Sequence, residues 1–277
     1  MTLRLASCLA AALLLAVGCD DPAPAEDGGP PTGGDAGSPA DAGPPDGGAA
    51  CEAVDGEVVS FGTEDGLTLE ADRYVPEGAA PGGAGAVLFH MIPPFNDRTN
   101  YPLTFIDALT DRGIVVLNVD RRGAGGSEGE PMDAYVGPDG KLDVAAAVGF
   151  LLATDCAPDP ARLGLVGASN GTTSVLDYTV FAAGDADAPS PAAIVFLTGG
   201  GYTENQNRVA DHRDVLDPMP IQFVYSTAEA GWSVGFEPGA PEIWRFDEYA
   251  DGDHGTTMFS AAPASVGDVA GFLGDTL

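Results

Sequence analysis

From residue 57 onward, short runs of apolar and largely β-branched residues alternate with segments whose apolar residues recur at helical spacing. Continuous apolar runs of this length are typical of strands that are buried on both faces of a parallel sheet. Strands that alternate with helices build a mostly parallel sheet covered by helices on both faces. The pattern therefore predicts an α/β domain.

The predicted elements follow one another in a regular order. A hairpin opens the domain around Glu64-Asp65-Gly66, where glycine supplies the positive φ angle of the turn. Strands are predicted at 57–61, 67–74, 86–90, 114–120, 163–168, 193–197, 221–225 and 243–249. Helices are predicted at 99–112, at 139–154, after residue 169 and at 264–273. The prediction is a central sheet of about eight strands in one domain, because about 225 residues suit a single core.

The amino terminus has a different pattern. Arg4 precedes an almost uninterrupted apolar run over residues 5–17, which is shorter than the roughly 20 residues that span a bilayer. These features predict a signal peptide over residues 1–18. The run ends in Leu15-Ala16-Val17-Gly18-Cys19, which resembles the lipobox of bacterial lipoproteins. The resemblance implies that Cys19 is diacylated and anchors the protein in a bacterial cell envelope, on the periplasmic or surface face of a membrane. The alternative is ordinary signal-peptidase cleavage, with Cys19 incidental.

Residues 20–50 consist almost entirely of Asp, Pro, Ala and Gly. Such a segment cannot bury enough apolar surface to offset the entropy of ordering it. We therefore expect 19–50 to be a lipidated cysteine followed by a disordered tether, which holds a folded domain at 51–277 away from the membrane.

Charge and cysteine content narrow the possible partners. Eleven Lys and Arg residues stand against 42 Asp and Glu residues, and the net charge of -31 would repel nucleic acid. Of the four cysteines, Cys8 lies in the signal peptide and Cys19 in the lipobox, which leaves Cys51 and Cys156 for the folded domain, and an exported protein can pair them in a disulfide. Two unpaired cysteines are the alternative. No Cys-x-x-Cys pair or nearby histidine accompanies them, so no metal site is predicted.

The chemistry is centred on Gly167-Ala168-Ser169-Asn170-Gly171, which lies between a predicted strand and a helix-compatible stretch. This context fits the G-x-S-x-G nucleophile elbow, in which a strained turn exposes the serine and small neighbours let strand and helix approach. Ser169 is the predicted nucleophile. A plain glycine-rich turn is the competing interpretation.

At this point the sequence resembles the α/β-hydrolase superfamily, in particular the dienelactone-hydrolase-like and related serine esterases, over residues 55 to 275. The order of motifs carries the resemblance: the strand that ends Phe89-His90-Met91, the turn Asp120-Arg121-Arg122-Gly123-Ala124-Gly125-Gly126-Ser127, the elbow, and Asp253-His254-Gly255. It implies an α/β-hydrolase fold, a structural role for Asp120, and no cofactor. The short segment between the strands at 193–197 and 221–225 implies that no large lid domain is present.

The chain has only three histidines, and a serine hydrolase needs one of them as general base. His254 follows the last predicted strand, where the resembled family places its histidine. His90 is expected to organise the loop after its strand. His212 lies in a polar stretch and is expected to be solvated.

The acid of the triad is expected after the strand at 221–225, where the resembled family usually has aspartate. This chain has Glu229 there, and the order serine, acid, histidine permits glutamate. Glu204, Asp251 and Asp253 are the alternatives.

Two backbone amides are expected to form the oxyanion hole. One is the amide of Asn170, which follows the nucleophile, and the other comes from the loop after His90. Met91 or Ile92 would supply this second amide, because Pro93 and Pro94 have no amide hydrogen.

The expected activity is hydrolysis of a small carboxylic ester through an acyl-enzyme on Ser169. A peptidase or acyltransferase with the same triad is an alternative, since fold and triad do not fix the acceptor. A surface lipoprotein that retains the fold only for binding is an alternative from another class. The sequence makes no prediction of oligomeric state.

Overall fold

The computed structural model describes residues 50–277. The predicted signal peptide, Cys19 and almost all of the predicted tether lie outside the described residues. Eight strands form one sheet: β1 (Val54–Gly62), β2 (Thr68–Val75), β3 (Gly85–Phe89), β4 (Val115–Val119), β5 (Leu163–Ala168), β6 (Ala193–Leu197), β7 (Ile221–Ser226) and β8 (Trp244–Tyr249). From residue 50 to the carboxyl terminus, no helix is long and apolar enough to cross a membrane.

The strand order in the sheet is β1-β2-β4-β3-β5-β6-β7-β8. β1 pairs with β2 and β2 pairs with β4 in antiparallel fashion, whereas every pair from β4 to β8 is parallel. The carboxyl ends of the parallel strands therefore open on one edge of the sheet, where ligand sites of α/β proteins form. The predicted α/β architecture with a mostly parallel sheet of about eight strands is confirmed.

Eight α-helices follow the strands within residues 50–277: α1 (Leu103–Thr110), α2 (Pro131–Val136), α3 (Gly140–Leu152), α4 (Gly171–Gly184), α5 (Arg213–Leu216), α6 (Gly231–Val234), α7 (Met258–Ala261) and α8 (Ala264–Thr276). The prediction of a helix over 99–112 was too long. Pro102 has extended backbone angles, φ -70 and ψ 146, so the helix begins only at Leu103. The last helix continues to Thr276, beyond its predicted end at residue 273.

Two apolar cores lie on the two faces of the sheet. Alternate residues of β3 divide between them: Val87 and Phe89 belong to one core, and Ala86 and Leu88 to the other. Helices α3 and α4 cover the first face, and α1 and α8 cover the second. All four β3 side chains are fully buried, which explains why a central parallel strand has a continuous apolar sequence.

The connections at the carboxyl edge are short. Between β6 and β7 the only α-helix is α5, which has four residues, and between β7 and β8 it is α6, which also has four. In the described part of the chain there is thus no large lid domain.

A disulfide bond joins Cys51, just before β1, to Cys156, just after α3. The two cysteines are 105 residues apart in the sequence, so the bond closes a large loop of the unfolded chain. Closing a loop of this size restricts the unfolded state and stabilises the fold by about 4 kcal/mol.

We predict that replacing both Cys51 and Cys156 with serine lowers the free energy of unfolding by about 4 kcal/mol. Urea unfolding followed by circular dichroism measures the change, and reduction of the wild-type protein provides the matched comparison. Equal unfolding midpoints for the oxidised, reduced and doubly substituted proteins would contradict the prediction.

Candidate active site

Ser169 lies in a sharp turn between β5 and α4. Its φ angle is +51°, in the left-handed region that non-glycine residues rarely adopt. Its amide donates a hydrogen bond to the Leu197 carbonyl at 2.8 Å. Its carbonyl accepts hydrogen bonds from the Thr172 amide at 3.0 Å and from the Thr172 hydroxyl at 2.7 Å. These contacts hold the serine in a strained conformation at the end of a central strand.

Two glycines make this turn possible. A Cβ atom at Gly167 would lie 2.7 Å from the Gly171 carbonyl oxygen, and a Cβ atom at Gly171 would lie 2.5 Å from the Phe89 carbonyl oxygen. Both distances are too short for real contacts. The glycines of the G-x-S-x-G motif are therefore required by the close approach of α4 to β5 and to the end of β3.

Three side chains from different strand ends form a hydrogen-bonded chain. The Ser169 Oγ atom lies 2.6 Å from His254 Nε2, and His254 Nδ1 lies 2.8 Å from Glu229 Oε2. Ser169 follows β5, Glu229 ends a 3-10 turn after β7, and His254 lies in the loop after β8. The structure thus brings together the three residues that were predicted as nucleophile, base and acid.

The alternative acids do not contact the His254 ring. The Asp253 carboxylate accepts a hydrogen bond from the backbone amide of His254 at 2.8 Å, which shapes the loop but leaves the imidazole free. Among the hydrogen bonds of residues 50–277, none joins Glu204 or Asp251 to the imidazole. Glu229 is the one carboxylate there that reaches Nδ1.

The other two histidines have different surroundings. His90 is fully buried, and its Nε2 accepts a hydrogen bond from the Arg121 amide at 3.0 Å while its Nδ1–H donates to the Met91 carbonyl at 2.8 Å. Burial, and then the Arg121 charge, lower the pKa of His90 to about 3, so the ring is neutral at physiological pH. His212, expected to be solvated, is half-buried and contacts Asn207 Oδ1 at 2.8 Å.

The candidate oxyanion donors lie on two segments that Arg121 connects. Its buried guanidinium donates to Asn170 Oδ1 at 3.0 Å and to the Met91 carbonyl at 3.2 Å. Asn170 directly precedes α4, and Met91 and Ile92 follow β3. Burial lowers the pKa of Arg121 to about 10, so its guanidinium remains charged at neutral pH. Arg121 therefore fixes the loop after β3 against the elbow.

Sequence reasoning missed two further residues at this edge. The Tyr202 hydroxyl lies 3.2 Å from Ser169 Oγ, and burial raises the pKa of Tyr202, which keeps the phenol protonated. Thr198, at the end of β6, has a φ angle of +50°, and its hydroxyl accepts a hydrogen bond from the Gly255 amide at 3.1 Å. Thr198 thereby holds the loop that carries His254. Both residues follow β6, and their position beyond a parallel strand was the available signal.

No family model and no curated protein sequence matches the chain. Among solved structures, an esterase of Pyrococcus furiosus superimposes with a TM-score of 0.62 at 16% identity, covering 80% of this chain and 91% of the esterase. The 2,6-dihydroxy-pseudo-oxynicotine hydrolase has a TM-score of 0.60 at 17% identity, with 80% and 68% covered. The esterase domain of a Rhodothermus marinus protein has a TM-score of 0.53 at 20% identity, with 79% and 96% covered.

These similarities, together with the strand order, show that the chain has the α/β-hydrolase fold. At such low sequence identity they establish the fold and leave the activity to be argued from the site.

Proposed function

We propose that the protein is a serine hydrolase that cleaves carboxylic esters through an acyl-enzyme on Ser169. The observation that carries the proposal is the continuous hydrogen-bonded chain from Ser169 Oγ through His254 to Glu229. A serine hydroxyl is a weak nucleophile, and a base within hydrogen-bond distance that is itself oriented by a third group activates it. Structural neighbours described as esterases and as a hydrolase provide independent support.

In the proposed reaction, the Ser169 hydroxyl attacks the ester carbonyl carbon while its proton passes to His254 Nε2. The Glu229 carboxylate accepts a hydrogen bond from the Nδ1–H of His254, which leaves the Nε2 lone pair facing Ser169. The same carboxylate then stabilises the imidazolium that forms. The carbonyl oxygen becomes an oxyanion, for which the amides of Asn170 and of Met91 or Ile92 are the proposed donors.

The tetrahedral intermediate collapses when His254 returns its proton to the departing alkoxide, which leaves as an alcohol. A water molecule then attacks the acyl-enzyme as His254 accepts a proton from it, and His254 returns that proton to Ser169 Oγ as the acid product leaves. Proton transfers balance in both halves, and none of the steps calls for a redox change.

The exposure of the site indicates the kind of substrate. The side chains of His254 and Glu229 are each 41% exposed, whereas Ser169 is only 4% exposed at the floor of the site. The short connections at this edge leave Glu229 and His254 open to solvent. This geometry favours small or accessible esters over long acyl chains that require a deep, covered tunnel.

Hydrolysis of p-nitrophenyl acetate and p-nitroacetanilide by the purified protein tests the proposal. We expect steady turnover of the ester and none of the anilide, because an alkoxide or phenoxide leaves more readily than an anilide. Cleavage of the anilide would favour the peptidase alternative. Failure of the folded protein to turn over any ester would favour the binding-protein alternative.

We further propose that the mature protein is anchored to a bacterial membrane through acyl chains on Cys19. Our prediction is that mass spectrometry of the protein expressed in a bacterial host shows a diacylated cysteine as the first residue. Cys19→Ala is expected to yield a protein without acyl chains that no longer partitions into detergent, and Cys8→Ala is the matched control. An unmodified amino terminus in the wild-type protein would refute the anchor.

A further inference from the structure

A pocket of about 440 Å³ lies beside the candidate active site, between the segment that follows β6 and helix α6. Its apolar lining is rich in aromatic side chains: Leu176, Tyr202, Val209, Trp232 and Phe236. We refer to it as the β6 pocket. Its size lies within the range of pockets that bind small organic molecules.

Tyr202 connects the β6 pocket to the nucleophile. Its side chain lines the pocket, and its hydroxyl lies 3.2 Å from Ser169 Oγ. A group that occupies the pocket therefore lies about the length of one side chain away from the reacting oxygen. An ester bound at Ser169 can extend one of its two substituents into this space.

The glycines after β6 allow the aromatic rings to take these positions. A Cβ atom at Gly199 would overlap the Trp232 ring, and a Cβ atom at Gly200 would lie 2.9 Å from Tyr202 Cζ. The Trp232 ring is further fixed by edge-to-face packing on Phe196 at 5.8 Å and on Phe236 at 5.0 Å between ring centroids. The aromatic wall is thus held in place by packing.

The opposite wall is tied to helix α4. The Gln206 side-chain amide donates to the Thr173 hydroxyl at 2.7 Å. The Asn207 backbone and side-chain amides donate to Asp177 Oδ1 at 2.7 and 2.9 Å. These bonds fix the segment that contributes Val209 to the lining. Because the walls are already ordered, little of the binding free energy is lost to ordering them when a ligand binds.

The charges at the pocket are balanced, although the chain as a whole carries a net charge of -31. Glu204 and Arg208 both line the pocket and are exposed, and their opposite charges cancel. The lining therefore favours neither an anionic nor a cationic ligand. An uncharged group fits it best.

We propose that the β6 pocket binds an uncharged aromatic ring of the ester, so that the substrates are esters with an aryl group on the acyl or the alcohol side. This inference rests on the proposed esterase function. Aromatic walls favour an aromatic guest through offset-stacked and edge-to-face contacts, beyond the area that is buried. The gain corresponds to about a three- to tenfold preference for a flat ring over a saturated ring of similar size.

Two matched ester pairs test the proposal. Benzyl acetate and cyclohexylmethyl acetate differ only on the alcohol side, and vinyl phenylacetate and vinyl cyclohexylacetate differ only on the acyl side. The leaving groups within each pair have similar chemistry, so the kcat/KM ratio reports on binding of the ring. We expect one pair to show about a three- to tenfold preference for the flat ring. Equal kcat/KM values within both pairs would overturn the proposal.

Substitutions at the two tryptophans of the chain test whether the preference for the flat ring arises in the β6 pocket. Trp232→Leu keeps the wall apolar but removes one of the three aromatic rings of the lining, and it should reduce the preference toward one. Trp232→Tyr should restore part of it. Trp244 does not line the pocket, and its ring packs on Phe223 behind Trp232, so Trp244→Phe, which keeps an aromatic ring there, should leave the preference nearly unchanged. A preference that is unchanged in Trp232→Leu would contradict the assignment of the ring to this pocket.

Calorimetric titration of the Ser169→Ala protein separates this inference from the proposed function. One pair of ligands is benzyl acetate and cyclohexylmethyl acetate, and the other is methyl phenylacetate and methyl cyclohexylacetate. Tighter binding of a flat-ring ester, together with a wild-type protein that hydrolyses nothing, would support the pocket and refute the esterase. Hydrolysis of both members of each pair at equal rates, with equal binding, would support the esterase and refute the pocket assignment.

Discussion

Ser169→Ala is expected to lower kcat for p-nitrophenyl acetate by about 10⁶-fold, the loss seen when the nucleophile of a comparable triad is removed. The hydroxyl that attacks the carbonyl is absent in this variant, so no acyl-enzyme forms. Alanine has nearly the same backbone requirements as serine, and the hydrogen bonds that hold the turn use main-chain atoms of residue 169. The melting temperature should therefore change little.

Ser260→Ala is the matched control, because Ser260 is an exposed serine that bonds only its own helical turn. It should retain wild-type activity. Combining Ser169→Ala with His254→Ala should cost no more than Ser169→Ala alone, since members of a triad act as one unit. Substantial turnover by folded Ser169→Ala protein would show that another group performs the reaction.

Glu229→Gln is the substitution with the second-largest expected effect. We expect kcat to fall by about 10⁴-fold, as in a comparable triad whose carboxylate is replaced by the isosteric amide. Glutamine can donate a hydrogen bond to Nδ1. The single proton of the neutral His254 ring would then lie on Nε2, and Nε2 could not accept the Ser169 proton. The neutral amide also fails to stabilise the imidazolium. Folding should be preserved, because the Glu229 side chain is 41% exposed.

Two other carboxylates provide controls for Glu229. Asp253→Asn leaves the imidazole contact intact, since Asp253 bonds only the His254 backbone amide, and Glu204→Gln changes a residue on the β6 pocket. Both should reduce kcat less than about tenfold, in line with loss of an exposed hydrogen bond. An active Glu229→Gln protein, with activity lost instead in Asp253→Asn or Glu204→Gln, would reassign the acid.

The strands of the fold could be predicted well because each one can be recognised from its own short stretch of sequence. Each central strand is buried on both faces, so its sequence is a continuous apolar run that stands out from its neighbours. Helix ends were harder to predict. Residues 99–102 fit a helical pattern, yet the extended backbone at Pro102 delays α1 to Leu103. The last helix continues through Gly274 to Thr276, so the glycine after residue 273 does not end it.

The candidate site could be predicted in part, because its main residues lie directly after parallel strands whose order is visible in the sequence. That topology placed Glu229 and His254 near Ser169 before any distance was known. Tyr202 and Thr198 were missed although they also follow a parallel strand. Their contacts with Ser169 and Gly255 span 33 and 57 residues of sequence, and no periodic pattern reports contacts of that kind.

The central claim, that Ser169 is an activated nucleophile, is tested most directly by covalent labelling. The folded wild-type protein would be treated with a fluorophosphonate, digested, and mapped by mass spectrometry, with the Ser169→Ala protein treated in parallel. We expect one phosphonylated residue, Ser169, and no adduct in the variant. A wild-type protein that is correctly folded and remains unlabelled, or one that is labelled at a residue other than Ser169, would contradict the claim.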